Sequence, residues 1–437
     1  MDISTTKQSS IFPVLLVNFI GMLGYSIIIP LLVFLVQDFG GNAFIYGLLG
    51  AIYPSMQLIG APILGKWSDQ IGRKRVLMVS QIGTFMAWLL FIVALLLPIY
   101  PLFKVESSGT ESLVVSLPLL LLFLARAIDG LTGGNVSVAN AYLADVSTEQ
   151  NRKANFGKMA SSTSLGFILG PALAAVLGAT FLGELLPVAM AAVISLTAIF
   201  VILFFLPESK PELLERPLDV MSIKKVFQIE QKECYQVEQC PANRLSDMLK
   251  IEGIPLLYLM YFVTFLGFSF FYAGLPLFAS GVLEWTSLEL GTFFMVSSGI
   301  MVLIQGPGLT YLSDKVSDIN LVIIGAVLIL ANFVLLPIAT LEAVYLGNVL
   351  LSIGNGIMWP SFLSILSRPG ASNQKGTIQG YANSMGSAAS IFGLILGGQL
   401  FGQIGPSVFY FAAGMFVFVL ALALLLKSRL KDNFAKI

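Results

Sequence analysis

An arginine and an aspartate three residues apart, Arg126 and Asp129, lie inside a long apolar run. At that spacing two side chains share one face of a helix. A lone arginine at mid-bilayer costs about 2.5–3.5 kcal/mol on insertion scales, so Arg126 should face the protein interior and be paired. Two readings stay open. One is a self-neutralising ion pair. The other is a charged midplane site that binds substrate or carries a coupling proton. The chain has no histidine, which leaves a carboxylate as the natural proton carrier. If substrate drew Arg126 away, Asp129 would be free to take a proton.

A second cluster runs Gly65-Lys66-Trp67-Ser68-Asp69-Gln70-Ile71-Gly72-Arg73-Lys74-Arg75. It reads as a tight charged turn between two apolar runs, with Gly65 and Gly72 supplying backbone freedom. A short basic loop of this kind belongs on the cytoplasmic side. Asp69, among four cations, reads as an ion-pair partner. The pattern G-x-x-x-D-x-x-G-R-K-R resembles the loop between helices two and three of the major facilitator superfamily of transporters. Ala141-Tyr142-Leu143-Ala144-Asp145-Val146, then Arg152 and Phe156-Gly157, is similar to the same region of its twelve-helix drug:proton antiporters, the tetracycline-efflux type. The resemblance implies an inner gate in which Asp69, Arg73 and Lys74 act with Asp145 and Arg152. A solvated helix end that anchors topology is the alternative for these charges. Gly166-x-x-x-Gly170-Pro171 resembles the antiporter signature, with Ala174-Ala175 where the family carries a final glycine pair. It implies a hinge, or else a plain small-residue packing face. Leu206-Pro207-Glu208-Ser209 is also like the family. At Gly21, nine positions before Pro30, tetracycline-type antiporters carry an acid. The first helix here has none at the midplane.

The elements that must position these residues follow from composition. The chain is 57% hydrophobic and 11% charged, where a soluble domain carries about 25% charged residues. A span needs roughly 20 apolar residues. Twelve are expected, near 11–36, 43–64, 76–99, 114–143, 156–181, 184–206, 253–282, 287–312, 318–338, 342–366, 375–402 and 404–426. They are too long for barrel strands. The expected fold is an all-α polytopic membrane protein with two pseudo-symmetric six-helix bundles. Residues 1–206 form the first bundle, 207–251 a cytoplasmic linker and 252–437 the second bundle with its tail. Leu23-Gly24-Tyr25-Ser26 recurs as Leu266-Gly267-Phe268-Ser269, Trp67-Ser68-Asp69 as Leu312-Ser313-Asp314, and Gly166 to Pro171 as Gly393 to Gly398. Paired halves of this kind put a substrate site at the midplane between them.

Of the 24 lysines and arginines, all but Lys104 and Arg126 fall in segments that share one side. That side is the cytoplasm, and both termini lie there. The protein belongs in the cell membrane, the inner membrane if the source is bacterial, and is expected to be a monomer. Polar residues on the spans are cavity candidates: Asn18, Tyr25, Tyr53, Gln57 and Asn135 in the first half, Gln305, Asn355, Trp359, Gln379 and Asn383 in the second. With the aromatics around them they suit an amphipathic organic molecule. Cys234 and Cys240 sit in the linker with five residues between them and no histidine, a poor zinc pattern. No phosphate loop, metal cluster or catalytic triad points to an enzyme, and no cofactor is implied. A net charge of zero gives no reason to invoke nucleic acid. The expected function is proton-coupled efflux of an amphipathic compound by alternating access. Uncoupled or differently coupled metabolite transport is the alternative, and Gly21 favours it. A non-transporting sensor that docks a partner on the linker is a further alternative.

Overall fold

The computed structural model describes residues 11–105, 113–133, 135–209, 245–369 and 375–434. Cys234, Cys240 and most of the linker lie outside these residues. In hydrocarbon every backbone N–H and C=O must be satisfied within its own segment, and the apolar runs accordingly fold as helices. The first half contains α1 (Phe12–Ile27), α2 (Leu32–Asp38), α3 (Ala43–Ile71), α4 (Arg73–Leu96), α5 (Leu117–Thr132), α6 (Asn135–Val146), α7 (Glu149–Gly178) and α8 (Leu185–Phe205). The second contains α9 (Ile254–Gly281), α10 (Ser287–Leu303), α11 (Leu309–Ser313), α12 (Asp318–Leu335), α13 (Leu341–Leu366), α14 (Lys375–Ile404) and α15 (Val408–Phe434). A π turn, Ile304–Gly308, joins α10 to α11.

Among the described residues ten stretches are long and apolar enough to cross a membrane, and α1 with α2 forms one more, bent by 42° at its break. One of the ten, Ile378–Arg429, runs 52 residues. As helix that is ~78 Å, far beyond a ~30 Å hydrocarbon core. It is two crossings, α14 and α15, broken at Gly405–Ser407. The expected twelve follow.

Three local expectations are corrected. The charged segment from Gly65 to Arg75 is not a turn over its length: α3 runs to Ile71, so Gly65 lies in helix, and the chain turns only at Gly72, with φ of 100°. A helical glycine costs about 1 kcal/mol, too little to end a helix with good residues on both sides. The span expected at 11–36 is interrupted between Ile27 and Leu32, around Pro30, which cannot donate a backbone hydrogen bond. The span expected at 114–143 is divided between α5 and α6, with Gly133 as the α5 cap, and its first residues belong to a strand instead. That strand, Leu113–Ser116, pairs antiparallel with Pro101–Val105. Ser116 ends it and caps α5, its hydroxyl accepting from the Leu119 N–H.

Contacts divide the chain into two compact units: Met1–Leu35 with Met56–Val220, and Val36–Ser55 with Met221–Ile437. In the first, α7 lies against α1 through glycine. A Cβ on Gly166 would stand 2.8 Å from the Leu23 N, and one on Gly170 would meet Ser26 Oγ at 1.9 Å and Ile27 N at 2.8 Å. Ser26 donates to the Gly166 carbonyl at 2.9 Å. In the second unit the repeat-related residues meet in the same way. A Cβ on Gly393 would stand 2.5 Å from Ser269 Cβ, and one on Gly397 2.9 Å from Ala273 Cβ. The α3 segment of this unit packs on α14 just as closely, a Cβ on Gly47 falling 2.4 Å from the Leu394 carbonyl. Pro171 lies within α7, which continues unbroken through it.

Gly170→Leu should therefore lower thermal stability in detergent by the equivalent of about 1–3 kcal/mol or more, the usual cost of overpacking. Gly414→Ala, inside α15 where nothing lies within 4 Å, should not lower the melting temperature and should raise it slightly, since alanine favours a helix over glycine.

Candidate functional site

Arg126 and Asp129 sit near the end of α5, 4% and 6% exposed. Arg126 Nη1 lies 3.6 Å from Asp129 Oδ2. A charge-assisted hydrogen bond is normally ~2.7–2.9 Å, so the pair attracts without being locked. The Arg126 guanidinium stands 5.9 Å from the centre of the Tyr25 ring, within cation–π range. Tyr25 in turn meets Phe167 edge-on at 5.9 Å. Thr84, on α4, lies within reach of the Asp129 side chain.

The neighbouring turn is fixed by contact with two helices. Gly60 of α3 abuts Leu131, where a Cβ would come 2.0 Å from the carbonyl, and Gly83 of α4 abuts Thr132. Ser80 donates to the Thr132 carbonyl. Gln57 donates to the Gly133 carbonyl at 3.0 Å. Of the cavity candidates in the first half, Tyr25 is thus beside the charge pair, and Gln57 bonds the residue that caps its helix. Asn18 has another role. Its amide donates to Ser162 Oγ and Thr163 Oγ1, both at 2.8 Å, which ties α1 to α7. Tyr53 is half-buried on α3. The Asn135 side chain lies outside the described ones.

In the second unit Tyr261, Phe265, Trp359 and Phe362 form one aromatic cluster. Tyr261 stacks on Phe265 at 4.8 Å, and Trp359 meets each of the two edge-on at 5.3 Å. The Tyr261 hydroxyl donates to Asn383 Oδ1 at 2.9 Å, and the Asn383 side chain reaches the surface. Asn355 lies against Met301 Sδ at 3.2 Å. Gln305 occupies the π turn, and Gln379 is half-buried one turn before Asn383.

The third assembly joins the start of α4 to the end of α6. Arg73 Nε donates to Asp145 Oδ2 at 3.0 Å, with side-chain exposures of 2% and 3%. Arg73 also donates to Ser68 Oγ. Lys74 turns away and donates to the Leu203 carbonyl at 2.9 Å. The Asp69 and Arg152 side chains lie outside the described ones.

Two members of this clasp carry no role in the sequence reading. The Glu208 carboxylate accepts from the Arg73 N–H at 2.8 Å and the Lys74 N–H at 3.1 Å, capping α4. Ser209 Oγ donates to Asp145 Oδ2 at 3.2 Å. Gly72 makes room for the cap: a Cβ there would lie 2.4 Å from Glu208 Oε2. The available signal is an acid directly after an apolar run and a proline.

Twelve helical crossings with charge sealed inside one of them and ion pairs at helix ends are the build of a membrane transporter rather than of an enzyme. The chain belongs to the Major Facilitator Superfamily, whose family model matches residues 14–393 and 257–435. Among curated proteins it is 25% identical over 428 residues to the tetracycline resistance protein, class D, of Salmonella ordonez, covering 95% of this chain and 96% of that one. It is 24% identical to multidrug resistance protein 2 of Bacillus subtilis, covering 99% of both. Among solved structures, the human organic anion transporter MFSD10 superposes with a TM-score of 0.66 at 22% identity, over 94% of this chain and 98% of that one.

Glu208→Ala should cost about 1 kcal/mol, as other lost helix caps do, and speed amide exchange at Arg73 and Lys74. Asp145→Asn removes a charge facing a buried arginine and should cost more, about 3 kcal/mol. Thermal unfolding of the two variants in detergent checks the order.

Proposed function

We propose that the protein is a secondary active transporter that expels an amphipathic organic compound in exchange for protons by alternating access. The observation that carries this reading is the Arg126–Asp129 pair. It is buried, yet its two charges stand 3.6 Å apart, so they can separate without breaking a tight hydrogen bond between them. A cationic or hydrogen-bond-donating group on the substrate would take the Asp129 carboxylate from the cytoplasmic side, so that substrate and proton compete for one site. After the substrate leaves on the far side, Asp129 would take a proton there, and loss of that proton to the cytoplasm would restore the pair with Arg126. Tyr25, over the guanidinium, keeps a π face against the charge when the carboxylate is neutral. The aromatic cluster around Trp359, with the amide of Asn383, suits a ring-bearing substrate with a hydrogen-bonding group. The names of the relatives, resistance to tetracycline and to multiple drugs, support export.

The Arg73–Asp145 clasp serves as the inner gate, with Glu208 and Ser209 holding it in register. The basic residues gathered around it support a cytoplasmic position, with both termini on that side. The transporter works as a monomer, and the glycine seams at Gly166 and Gly170 let α7 and α1 move as one body. A second reading is uncoupled metabolite transport, which the absence of an acid at Gly21 favours.

Purified protein in liposomes with an imposed proton gradient tests the two. Lumenal pH is followed while tetracyclines, lipophilic cations and organic anions are added. The expected result is a substrate-triggered proton flux that Asp129→Asn lowers at least about tenfold, the scale of losing an essential proton carrier. Substrate movement without protons, or an undiminished flux in the variant, would overturn proton coupling at Asp129.

A further inference from the structure

The internal repeat that carries Ser68 onto Ser313 carries Arg73 onto Asp318 at the same offset of 245 positions. Asp318 is the first residue of α12, as Arg73 is the first of α4. Asp318 Oδ2 accepts from Ser364 Oγ, in the last turn of α13, at 2.8 Å, and from Arg368, two residues beyond the end of that helix. Each unit thus ties the start of one helix to the end of another through an acid and an arginine. In the second unit the two charges have changed places.

The exchange matters because a helix carries partial positive charge at its N-terminus and partial negative charge at its C-terminus. Arg73 opens α4 and Asp145 lies in the last turn of α6, so both oppose their own helix. The first clasp holds because it is buried and because Glu208 brings an anion to the start of α4. Asp318 and Arg368 both favour their helices. That clasp needs no further charge, and it tolerates water, with side-chain exposures of 20% and 64%.

We infer that Asp318 is a positioning residue that, with Ser364 and Arg368, braces the second unit throughout the transport cycle, so that the latch that opens and closes is Arg73–Asp145 alone. The inference rests on the alternating-access reading for its second half only.

The test uses the full chain in nanodiscs and in proteoliposomes, with Asp318→Asn, Arg368→Gln and the double exchange D318R/R368D. Amide exchange at the start of α12 should rise about two- to fivefold in either single variant, the range open to an exposed pair. The double exchange should fail to restore it, since both charges then oppose their helices. Wild-type exchange should climb toward the Asp318→Asn value between about 0.1 M and 1 M salt, as the Debye length falls from ~10 to ~3 Å. Initial transport rates should stay within about twofold of wild type in all three, since exposed pairs of this kind carry little energy. Asp145→Asn, made alongside, should lose most of its rate.

Unchanged exchange in the single variants, or full recovery in the double exchange, would overturn the brace. A transport loss in Asp318→Asn that matches Asp145→Asn would overturn the single latch. If the wild type moves no substrate, the functional reading fails, and the exchange data still decide whether the brace exists.

Discussion

A charge out of water must have a partner, and this one constraint organises the molecule. Removing an ion from water costs several kcal/mol even after the protein relaxes. Arg126 and Arg73 are each nearly sealed, and each lies beside a carboxylate. The two solutions differ in tightness. Arg73 meets Asp145 at 3.0 Å with a serine and a glutamate in support, whereas Arg126 and Asp129 stand 3.6 Å apart with an aromatic ring alongside. The first arrangement suits a fastening, the second an exchangeable site.

Both pairs depend on glycine elsewhere. Arg126 is held in place because Gly60 and Gly83 let α3 and α4 press on the turn that follows it. The clasp is held because Gly72 leaves space for a carboxylate at the start of α4. In a membrane, helix association draws little from the hydrophobic effect, and close packing of small residues takes its place. The chain contains 41 glycines, and those at helix contacts set the positions of the charges.

What the sequence made legible follows the same logic. An arginine inside an apolar run is costly enough to announce itself, so the Arg126–Asp129 pair was readable from spacing. The repeat was readable too, and the residues that match across it, Ser26 with Gly166 and Ser269 with Gly393, meet in space. Glu208 was not readable as a cap, because its partners are 134 and 135 positions away and an acid after a span looks the same when it is merely solvated. Asn18 was a cavity candidate by residue type, with helix packing the equal alternative, and its amide bonds Ser162 and Thr163 of α7. A polar residue on an apolar helix needs a partner, but residue type does not reveal whether that partner is another helix or water. The segment from Gly65 to Ile71 reads as a loop by its glycine and charge, yet the ladder of α3 carries through it.

The π turn at Ile304–Gly308 bears on how the two halves came to differ in length. Residues 266 and 312 are 46 positions apart, two more than their counterparts 23 and 67. A π turn closes its hydrogen bond over one residue more than an α turn, so it houses an inserted residue without lengthening the rest of the helix. In the counterpart stretch of the first half, α3 is regular. The irregular turn accommodates one of the two surplus residues between the matched motifs. The one residue it absorbs corresponds to about 100° around a helix, the difference between a side chain that faces protein and one that faces lipid.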